Sequence, residues 1–162
     1  MFRVGIGQDS HKLKAKSSRL NAQCLKLGGV MVSEDYYAVA NSDGDVVLHA
    51  LVNALSSAVG GGSLSNYADP LFKKGVVDSK EYVKEAMKKL GNYKVNNVSV
   101  AIEAKEPKVE KYFQQMKEEI AKILKIGKDS VGVTATSGEG LTEFGKGEGI
   151  QAFVIASIYK DE

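Results

Sequence analysis

The last segment of the chain, Ile150 to Tyr159, constrains the fold most, because apolar residues run through it almost without a break. Phe153, Val154, Ile155 and Ile158 occupy both parities of an extended segment, so both faces of this strand require cover. Four other segments read as strands: Phe2 to Gly7, Leu25 to Val32, the alternating Val98, Val100 and Ile102, and the alternating Val131, Val133 and Ala135. A polar loop rich in Lys and Ser, Lys12 to Asn21, separates the first two. The glycine-rich stretch Gly138 to Gly149 turns the chain into the last one.

Three helices are expected between these strands. The first opens at Ser42 or Asp43, where Asn41-Ser42-Asp43 offers capping side chains, and carries Val47, Leu51, Ala54, Leu55 and Ala58 as an apolar stripe. Asp45, His49 and Asn53 form a polar row on its other edge, and Gly60-Gly61-Gly62-Ser63 stops it. The second begins at Asp78, with Glu81 completing a capping box, and buries Tyr82, Val83, Ala86, Met87 and Leu90. The third has Pro107 at or near its start and buries Val109, Tyr112, Phe113, Met116, Ile120, Ile123 and Leu124. This order predicts an α/β fold, an α+β sandwich in which helices cover one face of a mixed β-sheet. No helix is left for the other face. Oligomerisation through that face is therefore a physical expectation.

Composition narrows the function classes. The 162 residues fit a single domain, 1–162, large enough to bury a core. Lys and Arg number 22 against 20 Asp and Glu, for a net charge of +2, which excludes the basic footprint of a dedicated nucleic-acid or membrane-surface binder. The lone Cys24 excludes an internal disulfide and a cysteine-rich zinc site, and suits a reducing compartment. No run approaches the ~20 apolar residues of a bilayer span, and the N-terminus runs directly into strand-like sequence without signal-peptide architecture. A cytoplasmic protein is expected.

Three constellations offer chemistry. Asp9-Ser10-His11 puts a carboxylate and an imidazole on one face if the first strand extends that far, and His49 is the only other histidine. Asp9, His11 and His49 would give a divalent metal three N/O ligands and leave a fourth position open, as in a catalytic zinc site. A loop histidine and a hydrogen-bonded helix residue would explain the same positions. Asn41-Ser42-Asp43-Gly44-Asp45 at a helix start suits either a phosphate or an ordinary cap. Thr134 to Glu139 ends a strand with hydroxyls, a glycine and a carboxylate, which fits phosphate oxygens with Mg²⁺ or simply a polar turn. Lys105-Glu106-Pro107-Lys108 is either a solvated turn or a loop with a phosphate-facing lysine. Gly5-Ile6-Gly7 lacks the third glycine of a dinucleotide fingerprint, and no P-loop occurs.

Together these segments resemble the 2-C-methyl-D-erythritol 2,4-cyclodiphosphate synthase family of the non-mevalonate isoprenoid pathway, over essentially the whole chain and in the family's order. The resemblance rests on Gly7-Gln8-Asp9-Ser10-His11, Leu27-Gly28-Gly29-Val30, and Ser42-Asp43-Gly44-Asp45 running on to His49. Asp78-Ser79, Pro107-Lys108, Ala135-Thr136 with Glu139, and Gly145 to Ile150 extend it. It implies a homotrimer with sheets facing the threefold axis and active sites between subunits. It also implies zinc at Asp9, His11 and His49, and Mg²⁺ or Mn²⁺ held at Glu139 through the substrate diphosphate. The implied substrate is a cytidine diphosphate ester of methylerythritol carrying a 2-phosphate, which closes to the cyclic diphosphate and expels CMP. Backbone groups around Ala104 to Glu110, with Pro107, Lys108 and Val109 among them, would hold the cytosine, and Thr136 with Ser137 the diphosphate. Asp9, Ser10, His11, Ser42, Gly61, Gly62, Ser63, Tyr67, Asp69 and Lys146 complete the implied substrate-binding set, with Asn41 and Ser137 at the catalytic positions.

The chain departs from the family pattern at defined places. Asn41 stands where the family has a histidine that stabilises the transition state, and Gly61 where it has an aspartate that holds substrate hydroxyls. Tyr67-Ala68-Asp69-Pro70-Leu71 replaces a Phe-Pro-Asp-Thr-Asp loop, Asn53 a helix aspartate, and Glu143 and Lys146 a Phe and an Arg near the axis. The metal triad and diphosphate side match; the diol side is remodelled. A related zinc enzyme acting on another nucleotide diphosphate ester, or a non-catalytic trimeric metal- and nucleotide-binding protein, would share these features.

Overall fold

The structure, a computed structural model, describes residues 1–16 and 23–161. Its elements in chain order are β1 (Phe2–Ala15), β2 (Leu25–Leu27), β3 (Val30–Ser33), β4 (Tyr36–Val39), α1 (Val46–Ala58), α2 (Ser65–Phe72), α3 (Ser79–Lys88), β5 (Lys94–Glu103), α4 (Phe113–Leu124), β6 (Val131–Thr136), α5 (Glu143–Lys146) and β7 (Gly149–Tyr159). Five strands form one sheet in the order β4-β1-β7-β5-β6, with β2 and β3 as a separate hairpin. Every pairing in the large sheet is antiparallel except β5 with β6, so the expected mixed sheet with helices on one face is what forms.

The sheet's two faces differ sharply. Along β7, Ile150, Ala152, Val154, Ala156 and Ile158 are buried beneath the helices, while Phe153 and Ile155 on the other face are 43% and 46% exposed. Ile6 pairs with Ile155 and is 60% exposed; Val4 beside it is 66% exposed. The sequence requires both faces of β7 to be covered, and one chain covers only one.

Several elements differ from the sequence expectations for local reasons. The first strand extends to Ala15, past the expected Gly7, so only part of the polar loop remains; positions 17–22 lie outside the described residues. Leu25 to Val32 is a hairpin rather than one strand, because Gly28 and Gly29 take φ of 60° and 81° and reverse the chain. The third helix begins at Phe113 after a single 3₁₀ turn, leaving Pro107 in the preceding bend and buried Val109 ahead of the helix. Glu81 pairs with Lys84 rather than closing a capping box, although Asp78 does cap α3 through the Lys80 N–H. The short edge strand β4 and the helix α2, which contains Pro70, have no counterpart in the sequence reading; each buries a single side chain, Ala38 and Tyr67.

The first helix starts later than expected, at Val46, because Gly44 (φ 71°) and the extended Asp45 break the helical path. Asp45 is fully buried, and its carboxylate accepts from Gly28 N–H (2.8 Å), Gly29 N–H (2.6 Å) and Leu48 N–H (3.0 Å). One side chain thus caps α1 and clamps the β2–β3 turn to it. Burial pushes this carboxyl above the usual carboxylate range, against the opposing pull of the three N–H groups. Asp45→Ala strips three N–H groups, two of them buried, of their acceptor and is expected to cost about 3 kcal/mol or more. Urea unfolding of the two proteins measures it.

Candidate functional site

Two glycines bring α1 onto β1. At Gly5 and Gly7 a Cβ would overlap the backbone carbonyl oxygens of Ala54 and Ala50, so no other residue permits this approach. Asn53 ties the same helix to β1 by donating to the Gln8 carbonyl at 3.1 Å. Strand alternation places Gly5, Gly7, Asp9 and His11 on the face toward α1, and His49 lies one turn from Asn53. The close approach of the two backbones therefore delivers three metal-type side chains to one point.

The three donor atoms form a tight triangle. His49 Nδ1 is 2.9 Å from Asp9 Oδ2 and 3.0 Å from His11 Nε2, and His11 Nε2 is 3.3 Å from Asp9 Oδ2. Ligands roughly 2.0–2.1 Å from a tetrahedral zinc lie about 3.3 Å from one another, close to these spacings. Three lone-pair donors facing each other are stabilised by a cation between them, and no fourth protein ligand closes the cluster among the described residues. Asp9, His11 and His49 therefore form a possible Asp-His-His metal site with an open position.

The cluster lies in a cleft of about 420 Å³ that also presents Asn41, Ser42 and Asp69, with Leu64, Ala68, Phe72 and Tyr82 as its apolar wall. Sequence reasoning missed this wall. The apolar spacing Leu64, Ala68 and Phe72 was the available signal, but Pro70 and the neighbouring glycines masked the helix that carries most of it.

Other sequence-predicted residues sit apart from the cleft. Ser10 points to the opposite sheet face from Asp9 and His11. Tyr67 is buried, its hydroxyl 2.7 Å from Ser56 Oγ, and Gly61, Gly62 and Ser63 are exposed in the loop before α2. A Cβ at Gly61 would lie 2.5 Å from Ser56 Oγ and 3.0 Å from the Tyr67 hydroxyl, so this pair fills the space a larger residue would need. Ala104, Pro107, Lys108 and Val109 meet Thr136 and Ser137 around a separate small pocket. Glu139, two residues after Ser137, is exposed with φ of 48° and does not line this pocket, and Lys146 is exposed on α5, paired with Glu143 at 2.6 Å. The metal cleft and this second pocket share no lining residue.

Burial draws the His11 pKa below its ordinary value, with the Asp9 carboxylate opposing. The imidazole is thus neutral and ready to ligate at pH 7. A depressed histidine contributes stability that is complete above its unfolded value of about 6.5 and lost as pH falls through the lower folded value. Protons compete with a metal in the same acidic window. Equilibrium dialysis is expected to find a divalent metal held at pH 7.5 and released at pH 5.

The sequence pattern of the YgbB family matches residues 2–159. The chain is 44% identical over 160 residues to the 2-C-methyl-D-erythritol 2,4-cyclodiphosphate synthase of Chlamydia muridarum, covering 98% of this chain and 88% of that protein. It is 43% identical to the synthase of Chlamydia caviae, over 98% and 89% of the two chains. Among solved structures, the bifunctional IspDF of Campylobacter jejuni superposes with a TM-score of 0.89 at 27% identity; the match covers all of this chain and 43% of that one. The Plasmodium falciparum IspF CDP complex superposes with a TM-score of 0.83 at 25% identity, over 99% and 97% of the two chains. No helix of the described residues is long and apolar enough to cross a membrane.

Proposed function

The chain belongs to the YgbB family, and from that premise we propose that it acts as a 2-C-methyl-D-erythritol 2,4-cyclodiphosphate synthase, a phosphorus–oxygen lyase of isoprenoid precursor biosynthesis. Its substrate is 4-diphosphocytidyl-2-C-methyl-D-erythritol 2-phosphate. An oxygen of the 2-phosphate attacks the β-phosphorus, the bond from that phosphorus to the CMP oxygen breaks, and CMP leaves as the eight-membered cyclic diphosphate closes. The observation that carries this reading is the convergence of Asp9, His11 and His49 on one point of an open cleft.

Asp9, His11 and His49 hold zinc or a similar divalent metal, which when bound supplies positive charge to the β-phosphate. Glu139 is the carboxylate for Mg²⁺ or Mn²⁺ on the substrate diphosphate. The protein's own work is positioning and charge stabilisation. Asn41 and Ser42 line the cleft and offer neutral hydrogen bonds to phosphate oxygens, with the diol facing the α2 side and Asp69. Backbone groups of Ala104 to Glu110 cradle the cytosine, and Thr136 and Ser137 the diphosphate. In this reading, following the family resemblance, the whole site is built between neighbouring copies in a homotrimer; the absence of a shared lining residue between metal cleft and cytidine pocket within one chain supports it. Each copy enters the trimer as one domain, 1–162, and the lone Cys24 suits a reducing cytoplasm.

Cytidine diphosphate with Mg²⁺ is expected to bind with an affinity on the order of micromolar by calorimetry, and uridine diphosphate more weakly. Asn41 cannot carry a positive charge. Restoring one with Asn41→His is expected to raise turnover about tenfold or more, the equivalent of one charged hydrogen bond in the transition state. Failure to bind cytidine diphosphate at all would overturn the reading and leave a metal protein of other specificity.

A further inference from the structure

Behind His49, on the side away from Asp9 and His11, a line of polar groups runs outward to the surface. His49 Nε2 lies 2.8 Å from Ser79 Oγ, with Ser42 Oγ as a second neighbour at 3.1 Å. Ser79 is fully buried as the first residue of α3, and its hydroxyl is 2.5 Å from Asp43 Oδ1 while its N–H lies 3.3 Å from Asp43 Oδ2. Asp43 also accepts from Asp45 N–H at 3.3 Å and faces the half-exposed Lys26 ammonium at 3.8 Å. Asp43, Ser79 and Lys26 do not line the cleft, and the hydrogen-bond path from Asp43 and Ser79 enters it through His49, while the Asp43 charge also acts through space on His11.

The direction of this chain follows from donor and acceptor counting. An ionised carboxylate accepts only, so the Ser79 hydroxyl must donate its one proton to Asp43. Ser79 Oγ then has only lone pairs to offer His49, which requires the proton of the neutral imidazole to sit on Nε2. That leaves Nδ1, the atom facing Asp9 and His11, with a free lone pair. A metal-ligating histidine is fixed in tautomer and orientation by the partner of its other nitrogen. We propose that Asp43 and Ser79 are positioning residues of the metal centre, locking His49 in the Nε2–H tautomer with Nδ1 aimed at the metal.

This inference rests on the metal-site reading above, and its test separates the two. Alanine is a good first residue for a helix, so Ser79→Ala is expected to fold. Its zinc affinity, measured by competition with a chromophoric chelator, is expected to fall about 10- to 100-fold, and the visible spectrum of the cobalt-loaded protein to change with it. Asp43→Ala is expected to weaken zinc similarly. The double variant should lose no more than the worse single one, as befits two members of one chain of hydrogen bonds. Asp78→Ala removes the cap of the same helix, a side chain that bonds the Lys80 N–H and makes no hydrogen bond to His49, Asp43 or the Ser79 hydroxyl, so it controls for loosening of α3. It is expected to lower the melting temperature of the metal-free protein while leaving zinc affinity within about twofold. Wild-type affinity in Ser79→Ala, or an equal loss in Asp78→Ala, overturns the positioning role. Absence of zinc binding by the wild-type protein overturns the metal site itself, and this inference with it.

Discussion

Replacing His49 by alanine is expected to leave the purified protein without its metal and to lower turnover at least a hundredfold. The expectation follows from geometry. Asp9 and His11 are half-buried neighbours on one strand, and His49 closes the triangle from the facing helix. Two ligands on one strand hold an ion only weakly. Loss of a ligand must also cost more than loss of a group that merely orients one, which is typically about 10- to 100-fold in affinity or activity. His49 lines the open cleft and the α1 apolar stripe is untouched, so the variant is expected to fold. Elemental analysis of both proteins, with circular dichroism as the folding control, decides the matter. Equal metal in the two would remove the assignment of the site.

The second large effect is expected at the uncovered sheet face. Ile155 lies mid-strand on β7 between Ile6 of β1 and Ser99 of β5, and Phe153 lies one pair further along between Gln8 and Ala101. In a single chain this row faces water, so a charge there costs the monomer little. In a trimer packed through these sheets the same charge would be buried without a partner, a penalty of several kcal/mol at each copy. Ile155→Asp is therefore expected to give a particle of 17.4 kDa by light scattering, against three times that mass for the parent. Turnover should disappear with assembly, since the proposed active site is shared between subunits. A wild-type protein that scatters as a monomer would remove the shared site and require another account of how the two pockets cooperate.

The sequence by itself determined the parts of this protein governed by short-range rules. The alternation of Val98, Val100 and Ile102 and of Val131 and Val133 defined β5 and β6. The Asp78 cap located α3, and the apolar run of β7 announced a face that one chain leaves bare. The spacing of Asp9 and His11 put them on one face provided the first strand reached them, and His49, the only other histidine, was the candidate third ligand. Only the tertiary structure decided the rest. Asp45 was legible as a helix-start residue, but its second role, holding Gly28 and Gly29, depends on a contact 16 to 17 residues away. Tyr67 looks like a cleft residue in sequence and is turned inward because Ser56 offers its hydroxyl a buried partner. Ser79 reads as an ordinary residue of a helix start, and becomes the hydrogen-bond partner of His49 because α3 packs against α1. Periodicity and capping act within a few residues and leave their mark in the order of the side chains. Hydrogen bonds between distant segments leave none, since any chain position with a hydroxyl can meet an imidazole once packing has chosen its neighbours.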